Sequence, residues 1–167
     1  MSRQLILMRH AKSGWDDPSL TDHDRPLNDR GHRAAATMGN WMAGTGLRPE
    51  RALLSTAVRV AETWNGLAPA VDDVAITRTE RLYLAAPEAI LSEVTATEEA
   101  RVMVIAHNPG MAALAQYLVA TTPDRTEFHR FPTGAILVLD VPGDDWTSLG
   151  PACARVEHFI VPRDLTD

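Results

Sequence analysis

The chain has 167 residues, 45% of them hydrophobic, a length and apolar content that fit one globular domain with one substantial core. Its 16 Lys+Arg against 22 Asp+Glu give a formal net charge of -6, which excludes a broad basic surface for nucleic acid or for an anionic membrane. No run reaches the ~18 uninterrupted apolar residues of a membrane span, no secretory leader pattern opens the chain, and the single cysteine, Cys153, cannot form an internal disulfide. These features predict a cytoplasmic protein in which Cys153 is a small core residue and any anion is bound locally.

Leu5-Ile6-Leu7-Met8 is a short apolar run that ends abruptly at Arg9-His10, and it reads as a buried strand. Asn28 then offers an N-cap for a helix to about Ala43. Ala52-Leu53-Leu54 is a second strand, and Ser55 or Thr56 opens a helix to about Leu67. Val74-Ala75-Ile76-Thr77 is a third strand, followed by a helix that begins at Pro87 and runs through Val94. Val102 to Ala106 forms the fourth. In HNPGMAALAQYLVA, Asn108 supplies an N-cap, Pro109 a first residue, and Met111, Leu114, Ala115 and Leu118 an apolar face. Gly134 to Val141 and Ala154 to Val161 are two later strands. No repeat, low-complexity tract or Ser/Gly-rich linker divides the chain. Repeated strand-helix units predict a three-layer α/β fold, a mostly parallel central sheet flanked by helices, with antiparallel edges near the C-terminus.

Ligands of such sheets bind beyond the carboxyl ends of the strands. Arg9-His10, Ser55-Thr56 with Arg59, Glu80-Arg81 and His107-Asn108 follow the first four strands in turn. Taken singly, each has a plain structural reading: a strand-end contact for Arg9-His10, an i,i+3 ion pair of Arg59 with Glu62, a loop hydrogen bond for His107. Their recurrence after successive strands points instead to one shared anion site. Two guanidinium forks neutralise a phosphoryl group without metal, and the positive end of the helix near Thr56 adds to them. A histidine in that setting, His10, attacks phosphorus if a backbone carbonyl fixes its other ring nitrogen. His107 stabilises the equatorial oxygens, and a phosphate dianion favours its protonation. Glu80 is the expected leaving-group acid, with Asp16 as second choice.

Lys12, Ser13, Asp16 and Asn108 are candidate substrate contacts, with plain exposure the alternative for Lys12 and Ser13. Trp15 and Tyr83 are candidate pocket walls, though core packing is the favoured reading for Tyr83. His23 lies between two aspartates in TDHDR, a cluster read as solvated charge rather than metal ligands, since no second ligand set has matching spacing. His32, His129 and His158 are expected to be structural or exposed. No metal and no cofactor is implied.

The string LMRHAKS resembles the Arg-His-Gly motif of the histidine phosphatase superfamily, with Ala11 in place of the usual glycine, and RPLNDRGHRAA resembles the segment after it. STAVRVAET is similar to the second-arginine motif and VIAHNPG to the second-histidine motif. The forms RHAKS, ERLYLAAPE and AHNPG resemble the compact bacterial SixA-type phosphohistidine phosphatases. The resemblance implies a phosphoglycerate mutase-like fold with a minimal lid and a metal-independent reaction in two steps. In it Arg9 and Arg59 bind phosphate, His10 is transiently phosphorylated, and His107 completes the pocket. Glu80 is matched to the family's acid on ERLY alone, and Ala11 raises the question of backbone strain if positive φ is needed there.

Only 20 residues separate Arg59 from Glu80, and 26 separate Glu80 from His107, which leaves no room for a large lid. An open site admits a phosphorylated side chain on a protein, while a small phosphorylated metabolite gains little from so few enclosing groups. Phosphohistidine also relaxes the need for a strong acid, because its P-N bond is labile and the imidazole can leave once protonated. A local patch of Arg30, Arg33 and Arg130 would attract an acidic partner. The rival readings are a small-molecule phosphomonoesterase and a non-catalytic phospho-ligand module.

Overall fold

In the computed structural model, which describes residues 2–166, the apolar runs become β1 (Ser2–Arg9), β2 (Arg51–Ser55), β3 (Ala75–Thr79), β4 (Arg101–Ala106), β5 (Ile136–Pro142) and β6 (Arg155–Ile160). They form one sheet in the order β3-β2-β4-β1-β5-β6. The first four are parallel, β5 runs antiparallel to β1, and β6 antiparallel to β5. The connections are α1 (Asp29–Thr45), α2 (Val58–Leu67), α3 (Pro87–Thr95), α4 (Gly110–Leu118) and a short α5 (Glu127–Arg130).

Alternation of side chains along each strand divides the apolar runs between two cores. Leu5 and Leu7 of β1, Val102 and Val104 of β4, and Leu137 and Leu139 of β5 pack with Ile90 and Val94 of α3 and Leu114 of α4. Ile6 and Met8, Met103 and Ile105, and Ile136 and Val138 pack on the other face with Met38 and Met42 of α1 and Val60 and Trp64 of α2. Burial on both faces explains why β1 and β4 are continuously apolar rather than alternating.

Four local expectations are corrected. The run at Val74 forms an edge strand, so much of it is exposed instead of buried. The capping position of α2 is Ala57, one residue beyond Thr56 and two beyond Ser55, and Ser55 Oγ accepts from Ala57 N at 3.2 Å in the turn just before the helix. Asn108 lies one residue outside the N-cap of α4, which is Pro109; its Oδ1 still accepts from Ala112 N at 3.1 Å. Cys153 is half-buried and packs against the margin of one core.

The central strands β2, β4 and β1 bring their carboxyl ends side by side, and α1 fixes the loop after β1 against them. Asn28 caps α1 by accepting from Gly31 N at 2.8 Å and donates its own backbone N–H to Lys12 O at 3.0 Å. A Cβ at Gly31 would overlap the Lys12 carbonyl oxygen, so α1 can lie this close to the loop only with glycine there.

Candidate active site

Arg9 has the strand parity of Leu5 and Leu7 and turns toward the α4-α5 layer, where Nη1 donates to Phe131 O at 3.2 Å. Its Nε is buried and has no acceptor in the protein, leaving donors for an anion. His10 has the opposite parity and meets α2, whose second residue is Arg59. Arg59 Nε donates to His10 Nε2 at 3.3 Å, and Arg59 Nη2 lies 3.3 Å from His107 Nδ1. His107 follows β4, the direct neighbour of β1, and its ring centroid is 5.3 Å from that of His10. Arg9, His10, Arg59 and His107 thus line one cavity of about 240 Å³.

Hydrogen bonds fix both imidazoles. His10 Nδ1 is 2.7 Å from Ala11 O; a carbonyl only accepts, so Nδ1 carries the proton and Nε2 presents its lone pair. Ala11 N donates to Thr63 Oγ1 at 3.0 Å, and that hydroxyl donates to Arg59 O at 2.7 Å, tying the loop to α2. Ala11 is absent from the residues with positive φ, so alanine in the glycine position creates no strain. His107 Nε2 is 2.7 Å from Ser55 Oγ at the end of β2. Burial first, then the neighbouring cations, lowers His107 to about 4; burial also lowers His10 to about 3, against the opposing hydrogen bond to Ala11 O. Both rings are neutral near pH 7, the form in which His10 Nε2 is a nucleophile. Burial and the like charge of Arg59 also lower Arg9.

Sequence reading missed Asp22. Its Oδ2 accepts from Arg59 Nη2 at 3.0 Å and from Tyr83 Oη at 2.5 Å, while its backbone carbonyl accepts from Arg59 Nη1 at 2.6 Å. The Tyr83 hydrogen bond is the main reason Asp22 falls to about 2, so it is a fixed anion rather than an acid near neutrality. Arg25 binds Asp22 Oδ1, Ser13 Oγ and Gly14 O, and its guanidinium lies 3.4 Å from the centroid of Trp15. TDHDR is therefore a clamp over α2: His23 Nε2 is 2.9 Å from Thr56 Oγ1, and Tyr83 packs edge-on against both His23 and His107. Thr63 could have been found from its i,i+4 spacing to Arg59. The Asp22–Arg59 contact joins positions 37 apart through an irregular loop and has no local signal.

The remaining candidates divide. Lys12, Ser13, Asn108 and Trp15 line the cavity, together with Leu84 and Thr133. Asp16 lies on a separate depression with Asp17 and Leu20. Glu80 is exposed in the turn after β3. β3 is the edge strand, and with β2 and β4 between, its end stands about 14 Å from that of β1. From that connection it is Leu84, 54% exposed, that reaches the mouth. No carboxylate is among the described residues lining the cavity. Glu62 does not pair with Arg59; its Oε1 accepts from Leu27 N at 2.8 Å. Arg30 and Arg130 share a neighbouring groove, and Arg33 is exposed outside it. His32, His129 and His158 are exposed, the last against Trp41.

Comparison with known proteins agrees with this arrangement. The model of the histidine phosphatase superfamily (branch 1) matches residues 5–83. An uncharacterised protein of Mycobacterium tuberculosis is 37% identical over 164 residues, covering 93% of this chain and 100% of the relative. Phosphohistidine phosphatase SixA of Escherichia coli is 30% identical over 148 residues, covering 84% of this chain and 88% of the relative. A solved structure from Nakamurella multipartitia, provisionally designated phosphohistidine phosphatase SixA, superposes with a TM-score of 0.84 at 30% identity over 97% of each chain. The chain belongs to the histidine phosphatase superfamily. Its similarity to SixA proteins supports a phosphatase, and hence a phosphorylated substrate.

Proposed function

We propose that this protein is a metal-independent phosphatase that takes the phosphoryl group from phosphohistidine on a protein, holds it on His10 and passes it to water. The observation that carries this reading is the composition of the cavity: the guanidiniums of Arg9, Arg25 and Arg59, the ammonium of Lys12 and two neutral imidazoles line it, and no carboxylate is among the described residues that do. An alcohol leaving group needs a positioned acid. An imidazole already protonated on its distal nitrogen leaves as a neutral molecule and needs none.

In the first step His10 Nε2 attacks phosphorus, the new P–N bond forms, and the bond to the substrate nitrogen breaks. Arg9 and Arg59 hold the equatorial oxygens, and the phosphoryl charge draws His107 toward its protonated state, opposing the burial that keeps it neutral. In-line displacement puts the leaving group opposite His10, so it departs through the mouth between Trp15, 73% exposed, and Leu84. Water then attacks the phosphorylated His10 from that open side, and inorganic phosphate and free His10 result.

The test compares kcat/KM for a protein carrying phosphohistidine with that for a panel of sugar phosphates and nucleotides. Preference for the phosphohistidine protein is expected. Preference for the panel would make the enzyme a small-molecule phosphomonoesterase, and tight phosphate binding without turnover of anything would make it a binding module.

A further inference from the structure

Beside the catalytic cavity lies a second one of about 220 Å³, and the two share Lys12 and Thr133. Four cations line it: Lys12 from the loop after β1, Arg30 from the first turn of α1, Arg130 from the end of α5, and Arg163 from the final 3-10 turn, Pro162–Leu165. These residues are far apart in the chain, and only folding collects them. The one carboxylate among its described lining residues, Glu127, is taken up by Arg125 at 3.2 Å and Arg163 at 3.1 Å. Lys12, Arg30 and Arg130 take part in none of the ion pairs among the described residues. Arg30 also occupies the second position of α1, where the positive end of the helix disfavours a cation. On a chain of net charge -6, three cations gathered without ion-pair partners make a locally positive groove suited to an external anion.

We propose that this groove docks a carboxylate-rich segment flanking the phosphohistidine of a protein substrate; the proposal rests on the reading of the adjacent site as a protein phosphohistidine phosphatase. Shape and exposure favour a peptide. Val161 and Pro162 give the groove an apolar floor on which side-chain stems lie, while the cationic heads of Arg30 and Arg130 are exposed at its margin. An exposed ion pair contributes little by itself, so useful affinity requires several carboxylates on one ligand. The sharing of Lys12 and Thr133 makes the groove a direct continuation of the catalytic mouth, so a chain whose phosphohistidine enters one has its flank over the other.

The experiment uses two peptides with a central phosphohistidine, one flanked on both sides by glutamate and the other by glutamine, and free phosphohistidine as a third substrate. The wild-type protein is expected to favour the glutamate peptide by about tenfold in kcat/KM, mainly through KM, and to lose that preference as salt rises. In the Arg30→Glu/Arg130→Glu double variant the preference is expected to vanish, with turnover of free phosphohistidine unchanged; the Arg30→Gln/Arg130→Gln variant gives the same reading should charge reversal disturb the fold. Equal hydrolysis of both peptides by the wild-type protein, or a preference that survives in both variants, would overturn the groove's role and leave the active-site reading intact. Indifference to peptide charge combined with preference for doubly over singly phosphorylated small molecules would also overturn it, making the groove a second phosphate site. Failure to hydrolyse any phosphohistidine compound while phosphate esters turn over would overturn the functional reading and the docking role together.

Discussion

Arg59 connects most of what the site does. Through one planar group it reaches His10, His107 and the Asp22 carboxylate, and its backbone carbonyl receives the Thr63 hydroxyl. Arg59→Ala should lower kcat by about 10²- to 10³-fold, the usual loss when one preorganised donor to a developing oxyanion is removed, as measured by steady-state hydrolysis of a phosphohistidine peptide. Asp22 acts on Arg59 in two opposed ways, holding the guanidinium in place and offsetting its charge. Asp22→Asn should therefore tighten competitive inhibition by inorganic phosphate a few-fold and still lower kcat, because a misplaced donor costs transition-state stabilisation. Loss of phosphate affinity in that variant would show that the carboxylate assists the anion. His10→Ala should abolish turnover and leave the far-ultraviolet circular dichroism unchanged, since His10 lies beyond the end of β1 and belongs to neither apolar core.

At the scale of elements, the site depends on how closely α1 and α2 approach the loop after β1. Gly31→Ala forces the first turn of α1 away from the Lys12 carbonyl and should destabilise the protein by about 1–3 kcal/mol, the range for overpacking. Urea denaturation checks this, with an equivalent change at the open Gly44 as control. The strands and helices were readable because continuous apolar runs and helical periodicity are local signals. What made Glu80 misleading was neighbourhood. Chain order put it at the end of the third strand, but spatial order sends that strand to the edge of the sheet, and no local pattern encodes which strand lies outermost. That Arg9, His10, Arg59 and His107 gather around one cavity was legible for the converse reason: Arg9 ends β1, His10 and His107 directly follow β1 and β4, and Arg59 lies one turn beyond β2, the three central strands. Asp22 and Arg25 escaped because an irregular loop has no period to betray where it folds.

The whole molecule holds two uncharged histidines in a cationic interior, and this gives its stability a definite pH dependence. The folded state keeps His10 near 3 and His107 near 4, whereas an unfolded chain protonates both near the ordinary 6.5. The stabilising contribution is complete above about pH 6.5 and is lost as pH falls below it, because the unfolded state then binds more protons. By pH 5 each ring should have cost about 2 kcal/mol. Urea unfolding at pH 7 and pH 5 should show that loss, reduced by roughly half in His107→Asn; an unchanged stability at pH 5 would mean the rings are solvated. The same burial that makes the fold acid-sensitive keeps His10 Nε2 unprotonated at neutral pH, the form that the proposed phosphoryl transfer requires.

The most direct test of the account is to find the phosphoryl group in transit. A phosphohistidine peptide bearing labelled phosphate is mixed with the protein, quenched in alkali within a turnover, and the protein is digested and mapped by mass spectrometry. The expected result is one labelled site, on the peptide containing His10, with alkali-stable and acid-labile phosphate that is absent from His10→Ala. Turnover that proceeds with no labelled protein, or with label on another residue, would contradict the claim that His10 carries the phosphoryl group.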